Sequence, residues 1–229
     1  MGRGKFCIRP CNSRGLPGAG AAGRVGRMKR IAAERPPLPA LPIEGGCHCG
    51  RARYRVTTRP LAVNACHCGD CKRLAGGPFG LYLHVAAAGF ELTSGQLDLF
   101  RRTGGSGNQI SIYRCRACGT RLWHGPDVAP DLIILCAGTL DDARWAVPTS
   151  HIFVEEAAPD AVAADDALVV EAFQTTRAAL WEQFTAIYGS GRATPAGRAS
   201  IRRAASAWRR GGSHGGRRVP AGWRPSRDG

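Results

Sequence analysis

Seven cysteines in three short clusters constrain this chain more than any other feature. They occur in Cys47-His48-Cys49, in Cys66-His67-Cys68-Gly69-Asp70-Cys71 and in Cys115-Arg116-Ala117-Cys118. Thiolates separated by one or two residues can occupy adjacent corners of a tetrahedral metal site, with Zn–S bonds of about 2.3 Å. The spacing therefore predicts zinc binding rather than a disulfide framework.

The number of cysteines raises the question of how the sites are completed. Four thiolates plus three would leave a second zinc with an open position, as in catalytic zinc sites. Alternatively, His67, His48 or another side chain fills the vacancy, and both sites are structural. Spacing alone leaves both alternatives open.

The positive charge of the chain, formally +15, is concentrated at its two ends. Residues 1–44 and 189–229 are rich in Arg, Gly, Pro and Ala and lack apolar periodicity, so we expect a disordered basic N-terminal extension and a disordered Arg/Gly-rich tail. Arginine together with Trp208 and Trp223 could attract nucleic acid. A solvated tail, or sequence that flanks a smaller protein, is the preferred interpretation.

The sequence has no apolar run of the roughly 18 residues that a bilayer requires, and no apolar core of a secretory signal. We therefore expect a cytoplasmic protein without a membrane partner, in a compartment where thiols stay reduced. The first thirty residues are Arg-rich, and Met28 is an alternative start. The sequence leaves the oligomeric state open.

Short alternating segments predict a mainly β fold. Ala52, Tyr54 and Val56 alternate with arginines, as is typical of a strand with one buried face. Similar patterns or short apolar runs follow at 79–85, 97–99, 110–112, 132–137 and 151–154. Turn residues rather than helices separate them, which indicates antiparallel sheets whose ends the zinc ions pin.

The apolar period changes only after Asp165. It predicts one packed helix that ends before Gly189, with an apolar stripe formed by Val169, Val170, Phe173, Leu180, Phe184 and Ile187. The predicted organisation is thus a zinc-binding domain over residues 45–158 and a linker with a packed helix over residues 159–188.

Several other side chains were weighed as site candidates. We expect Cys136 to be a small buried hydrophobe, Cys7 and Cys11 to do nothing specific, and Asp141 and Asp142 to be turn residues. His84 should face outward from its strand, and His124 should lie in a turn, so both are predicted to be surface residues. His67 is a candidate donor to the site or simply a packed side chain.

Five ordered motifs in this sequence resemble the glutathione-dependent formaldehyde-activating enzymes, a family also named after centromere protein V. The resemblance covers about residues 45–158, and the motifs are Gly45–Gly50 with Arg53-Tyr54, Cys66–Arg73 with Gly76–Phe79, Cys115–Thr120, Gly138–Asp142 and Pro148–Phe153. A tryptophan expected soon after His151 is missing from residues 157–164.

The resemblance implies a β-tent fold that holds two zinc ions per chain. It implies a structural zinc on Cys47, Cys49, Cys115 and Cys118, and a catalytic zinc on Cys66, Cys68 and Cys71. It also implies a carbon–sulfur lyase that condenses glutathione with formaldehyde. In that case Lys72 and Arg73 could receive a glutathione carboxylate, although balancing thiolate charge is the preferred role.

A zinc bound by three thiolates has a formal charge of about −1 and is therefore a weak activator of water. Its open position can instead bind a substrate thiol in the nucleophilic thiolate form. The predicted function is a zinc-dependent carbon–sulfur lyase that joins a thiol such as glutathione to formaldehyde or a related carbonyl, or the reverse, with an unidentified general acid. The alternative is a non-enzymatic zinc module with basic tails.

Overall fold

The structure is a computed structural model, and it describes residues 29–32, 34–104, 107–172 and 177–189. These residues form thirteen strands and two α-helices. The first strands and helix are β1 Lys29–Ile31, β2 Ile43–Gly46, β3 Arg53–Val56, β4 Ala62–Cys66, α1 Gly69–Ala75, β5 Gly80–Ala86, β6 Phe90–Ser94 and β7 Leu97–Thr103. They are followed by β8 Gln109–Cys115, β9 Arg121–Pro126, β10 Leu132–Cys136, β11 Ser150–Ile152, β12 Val162–Ala164, β13 Leu168–Val170 and α2 Arg177–Tyr188.

Most strands lie in one eight-stranded sheet with the order β13-β11-β4-β5-β10-β9-β8-β7. A three-stranded sheet, β2-β3-β6, packs with it around one core, and β1 pairs with β12 separately. Neighbours from β4 to β7 in the large sheet are antiparallel, whereas β11 pairs in parallel with both β4 and β13. The predicted mainly β fold with antiparallel sheets is confirmed.

The centre of the large sheet is buried on both faces. In β5 the residues Tyr82 to Ala86 are all buried, and β4 is buried throughout. Helix α2 covers part of one face, because it contacts β4 and β11 and buries Leu180 and Phe184. The prediction that His84 is a surface residue is therefore wrong: only 4% of it is exposed, and Trp181 Nε1 donates to its Nδ1 at 3.4 Å.

The predicted C-terminal helix is wrong at its beginning. Val169 and Val170 lie in the strand β13, which extends the large sheet beside β11, and the helix begins only at Arg177. Phe173 lies outside the described residues. The two valines were misassigned because a β-branched pair can fit either an apolar strand or a helical stripe.

The expectation of disorder over residues 1–44 is wrong for the part that the structure describes. Arg35 is buried and forms a two-bond ion pair with Asp166, with N–O distances of 2.7 Å, and it also donates to the carbonyls of Val147 and Pro148. Arg30 donates to carbonyl oxygens in the β12–β13 connection. Polar contacts to backbone carbonyls and to Asp166, together with the packing of Leu38 and Ile43 against the core, order this segment. Residues 1–28 and 190–229 lie outside the description.

Candidate metal centres

The first cysteine cluster joins two loops that follow β2 and β8. The sulfur atoms of Cys47, Cys49, Cys115 and Cys118 lie within 4.8 Å of one another, although their loops are far apart in the sequence. The Sγ–Sγ distances are 3.4 Å for Cys47–Cys49 and 3.9 Å for Cys49–Cys115. Two sulfurs on a tetrahedral zinc are about 3.8 Å apart for Zn–S bonds of about 2.3 Å, so this cluster has the dimensions of a closed four-thiolate site.

Backbone turns hold the first cluster in place. Gly50 and Gly119 follow the two cysteine pairs at φ of 74° and 72°, a left-handed conformation that glycine adopts without steric cost. The amide of Ala52 donates to Cys47 Sγ at 3.2 Å, and the Thr120 hydroxyl lies 3.2 Å from Cys118 Sγ. The hydrogen bond from Thr120 lowers the pKa of Cys118 to about 5, which favours the thiolate form that metal binding requires.

The second cluster lies where β4 ends and α1 begins. Cys66 is the last residue of β4, Cys68 is the N-cap of α1, and Cys71 lies in its first turn. Their sulfur atoms also lie within 4.8 Å of one another, with 3.5 Å between Cys66 and Cys68. Among the described Cys, His, Asp and Glu side chains, these three alone converge here. The set fits a thiolate-binding metal ion and leaves one tetrahedral position without a protein ligand.

The N-terminus of α1 tunes the charge of the second cluster. Cys68 Sγ accepts a hydrogen bond from the Cys71 amide at 3.4 Å. Hydrogen bonds from the Cys66 and Cys71 thiols, together with those from the backbone amides of Cys71 and Asp70, lower the pKa of Cys68 to about 2. Metal binding requires the thiolate form, so the thiol protons of the cluster leave when a cation binds.

All seven predicted cysteines are therefore brought together in the predicted four-plus-three partition, and their assignment as zinc ligands stays a prediction. The eight cysteines within the described residues are free thiols. Neither His48 nor His67 joins a cluster. Cys136 is half-buried rather than fully buried, and Cys7 and Cys11 lie outside the described residues.

His67 points away from the second cluster into a buried histidine pair. Its Nε2 lies 3.0 Å from Nδ1 of His151, and its ring packs beside Phe79. Burial, aided by the charge of Lys72, lowers the pKa of His67, and burial beside His67 lowers that of His151 to about 4. Both rings are therefore neutral near pH 7. The His67 amide also donates to the Ile152 carbonyl at 3.0 Å, which ties the cysteine turn to β11.

The charged residues near the second cluster contact protein groups. Lys72 Nζ donates to the Glu156 carbonyl at 2.6 Å, and Glu156 Oε2 accepts from the Gly69 amide at 2.8 Å. These contacts close the helix turn onto the segment after β11. Asp141 pairs with Arg53, and Asp142 pairs with its neighbour Arg144, so both aspartates are exposed loop residues with local partners.

The strand register brings further polar side chains to the face of the sheet that carries Cys66. Cys66 pairs with Gly80, Asn64 with Tyr82, and Tyr82 with Cys136. Tyr82 folds back over Gly80: a Cβ at residue 80 would lie 2.3 Å from the Tyr82 hydroxyl oxygen. Only glycine permits this position. Although hydrogen bonds from Cys66 and from the Tyr82 hydroxyl oppose the rise, the hydrogen bond with Cys68 and burial raise the pKa of Cys71 to about 11. The Tyr82 hydroxyl therefore lies next to the second cluster.

Arg121 and His124 complete this face. Arg121 Nη2 donates to Tyr82 Oη at 3.1 Å, and the edge of the His124 ring packs at 4.8 Å from Tyr82. His124 lies in β9 rather than in a turn, so its predicted surface location is wrong. Burial, followed by the charges of Arg121, His84, Arg102 and Arg177, lowers its pKa to about 3.

Sequence reasoning missed Tyr82, Arg121 and Arg102. A signal for Tyr82 existed, because Gly80 and Tyr82 are two residues apart and so face the same side of a strand that follows a cysteine cluster. No comparable signal existed for Arg121 or Arg102, which lie 39 and 20 residues after Tyr82 in other strands. Their contacts depend on the strand order, which the sequence patterns did not provide.

Residues 42–156 match the family model described as glutathione-dependent formaldehyde-activating enzyme. A Halomonas elongata protein that carries this family name is 28% identical over 134 residues, which cover 52% of this chain and 78% of that protein. A Sordaria macrospora protein with the same name is 29% identical over 96 residues, covering 39% of this chain and 40% of the relative.

One solved structure was also compared. A crystal structure of a Rhodobacter sphaeroides protein aligns with 20% sequence identity and a TM-score of 0.36, covering 43% of this chain and 88% of that chain. Separately, none of the described helices combines the length and the apolar character needed to cross a membrane.

Proposed function

Because this chain belongs to the glutathione-dependent formaldehyde-activating enzyme family, we propose that it is a zinc-dependent carbon–sulfur lyase that condenses glutathione with formaldehyde to S-(hydroxymethyl)glutathione, or catalyses the reverse reaction. The observation that carries the proposal is the second cluster, in which three thiols converge without a fourth protein ligand among the described residues. A closed set of four thiols elsewhere in the chain supplies the contrast, because it offers no position to a substrate.

The two clusters would have different roles. Cys47, Cys49, Cys115 and Cys118 would hold a structural zinc that ties the loops after β2 and β8 together. Cys66, Cys68 and Cys71 would hold the working zinc. When bound there, the ion supplies an open coordination position that accepts a substrate thiol and favours its thiolate form.

The reaction requires no oxidant or reductant. The substrate sulfur forms a bond to the carbonyl carbon of formaldehyde, the C=O π electrons move to the oxygen, and the proton lost by the thiol balances the proton that this oxygen gains. The protein must therefore bring the thiol and the carbonyl together, stabilise the developing charge on oxygen, and deliver one proton.

Tyr82 is the side chain best placed to act on that oxygen. Its hydroxyl lies next to Cys71 and accepts a hydrogen bond from Arg121 Nη2, so its own proton is directed away from the guanidinium. Burial raises the pKa of Tyr82, which keeps the hydroxyl protonated at neutral pH. During the reaction the carbonyl oxygen would replace Cys71 as the acceptor of this proton, and we assign Tyr82 the role of hydrogen-bond donor to that oxygen. The charged Arg121 strengthens this donor by polarising the hydroxyl.

The test is zinc per chain, measured on the purified full chain and on a variant with Cys66→Ser, Cys68→Ser and Cys71→Ser together. We expect two zinc ions in the parent and one in the variant, which should still unfold cooperatively because the four-thiol set is intact. The acceleration of glutathione-dependent formaldehyde consumption over the uncatalysed rate should disappear with the second zinc. Cys136→Ser is the matched control, since this cysteine belongs to neither cluster, and it should keep two zinc ions.

Two results would contradict the proposal. If the triple variant lost both metals and its fold, the second cluster would be structural. If the two-zinc parent did not consume formaldehyde in the presence of glutathione, the enzyme proposal would fail, and the alternative of a non-enzymatic zinc module would replace it.

A further inference from the structure

An unbalanced group of positive charges lies on the sheet face beside the second cluster. Arg121 and Arg102 both lie near the half-buried His124, and their charges add to the effect of burial in lowering its pKa. Arg102 has a carboxylate partner, Asp70, at 2.5 Å, whereas Arg121 forms no ion pair with a described carboxylate. A half-buried guanidinium without a counter-charge is costly unless a ligand or a neighbouring anion compensates it.

Several buried polar atoms on this face also lack partners. Arg121 Nη1, Arg102 Nε and His124 Nδ1 are buried and have no hydrogen-bond partner among the described residues. Such atoms are uncommon in folded proteins, and each one is a reason to look for a missing group. Arg121 and His124 both contact Tyr82, and Arg102 reaches Asp70, which is next to Cys71 in the chain. These unpaired atoms are therefore linked, through Tyr82 and Asp70, to the part of the sheet that adjoins the second cluster.

The position of these groups indicates what they bind. The Tyr82 hydroxyl lies over Gly80, the strand partner of Cys66, and accepts a hydrogen bond from Arg121 Nη2, so one side chain separates this guanidinium from the second cluster. A molecule with its sulfur at the cluster would place a group a few bonds away against Arg121. Guanidinium groups bind carboxylates through paired, charge-assisted hydrogen bonds.

We propose that Arg121, supported by Arg102, binds a carboxylate of the thiol substrate, so that the site selects thiols that carry a carboxylate. This inference rests on the proposed function, because the thiol sulfur is placed at the second cluster. His124 remains neutral in this arrangement and lines the subsite beside the Tyr82 ring. The competing explanation is that Arg121 only balances the thiolate charge of the cluster.

The test uses S-methylglutathione, which keeps both carboxylates but has no thiol and cannot react. Its affinity for the zinc-loaded full chain is compared with that of its dimethyl ester by calorimetry. We expect the acid to bind at least about tenfold more tightly than the ester, as the loss of one charge-assisted hydrogen bond requires. Arg121→Gln should remove most of this difference by weakening acid binding while leaving ester binding unchanged.

Two further variants make the result specific. Arg144→Gln is the matched control, because it removes one positive charge from an exposed loop ion pair, and it should keep the full preference for the acid. Arg121→Lys keeps the charge but loses the planar fork, so it should restore only part of the preference. Zinc content and circular dichroism verify that each variant is folded.

The proposal is overturned if Arg121→Gln keeps the preference of the parent for the acid over the ester. It is overturned equally if the only effect of Arg121→Gln is a weaker affinity for zinc. It is also overturned if Arg144→Gln reduces the preference as much, since general attraction to a basic chain would then explain it. The calorimetric comparison involves no turnover, so it tests the carboxylate subsite independently of the reaction. The proposed function is tested separately, and it fails if the parent does not accelerate the reaction of formaldehyde with glutathione.

Discussion

The contact between Gly80 and Tyr82 allows a stringent test of how the site is built. In Gly80→Ala the new Cβ would lie 2.3 Å from the hydroxyl oxygen and 2.5 Å from Cζ of Tyr82, well inside the ordinary contact distance of about 3.5–4.0 Å. The Tyr82 ring is 2% exposed and cannot move without disturbing the core. Overpacking of this kind costs about 1–3 kcal/mol.

A gain in the unfolded state partly offsets this cost. Gly80 does not have a positive φ, so alanine fits its backbone, and replacing glycine there stabilises by about 0.4–1 kcal/mol. With two ring atoms in severe contact, we take the upper part of the overpacking range and expect a net loss of about 2 kcal/mol. Activity should fall further, because the displaced hydroxyl no longer lies between Cys71 and Arg121.

The assay is urea unfolding at a fixed excess of zinc, in a double-mutant cycle with Tyr82→Ala. In the Tyr82→Ala background the clash is absent, so Gly80→Ala should be neutral or slightly stabilising, and the coupling free energy should be about 2–3 kcal/mol. If Gly80→Ala were equally destabilising in both backgrounds, the glycine would be required for another reason and the argument about Tyr82 would be refuted.

Two further predictions concern stability. Burial lowers the pKa of His84 to about 3, whereas an unfolded histidine has a pKa of about 6.5. The unfolded chain therefore binds an additional proton between these values, and the free energy of unfolding should fall as the pH falls from 7 towards 3. At pH 5, His84→Gln should reduce that fall by about 2 kcal/mol in urea titrations at constant zinc content, and an unchanged pH slope would contradict the burial of the imidazole. Arg35→Ala should lower the free energy of unfolding by about 2–4 kcal/mol, because it leaves Asp166 and two carbonyls unpaired. The control Arg144→Ala removes an exposed ion pair and should lower it by less than about 0.5 kcal/mol. Equal effects of the two substitutions would show that Arg35 does not anchor its segment.

The sequence was sufficient to predict the cysteine clusters and most of the central strands because both depend on local spacing. Two thiols one or two residues apart can share a metal whatever the rest of the chain does. Alternation such as that of Tyr54 and Val56 reports one buried face directly. The separation of Cys47 and Cys115 into one set, and of Cys66 into another, required the resemblance to a family, since spacing alone allows other combinations.

The errors have a common physical cause. His84 was predicted to face solvent because alternation assigns polar residues to the open face of a sheet, but here helix α2 covers that face and Trp181 donates to the imidazole. The rule does not apply to a sheet that is buried on both faces, because the polar residues of the second face are then covered as well. Arg35 was missed for a related reason: composition reports apolar burial, and this segment is fixed by hydrogen bonds to distant carbonyls.

The polar groups on the sheet face that carries Tyr82, Arg121 and His124 are best explained by a binding role. A purely structural sheet would fill the positions of Tyr82, Arg121 and His124 with apolar side chains, because a buried polar group without a partner costs free energy. Here they lie together, they contact one another, and they adjoin the set of three thiols that leaves a coordination position open. Unfavourable burial that is concentrated at one place is typical of a binding site. Among the described residues, no buried polar atom without a partner lies in the loops that carry the closed set of four thiols. This difference between the two clusters is the physical basis for assigning the chemistry to the second.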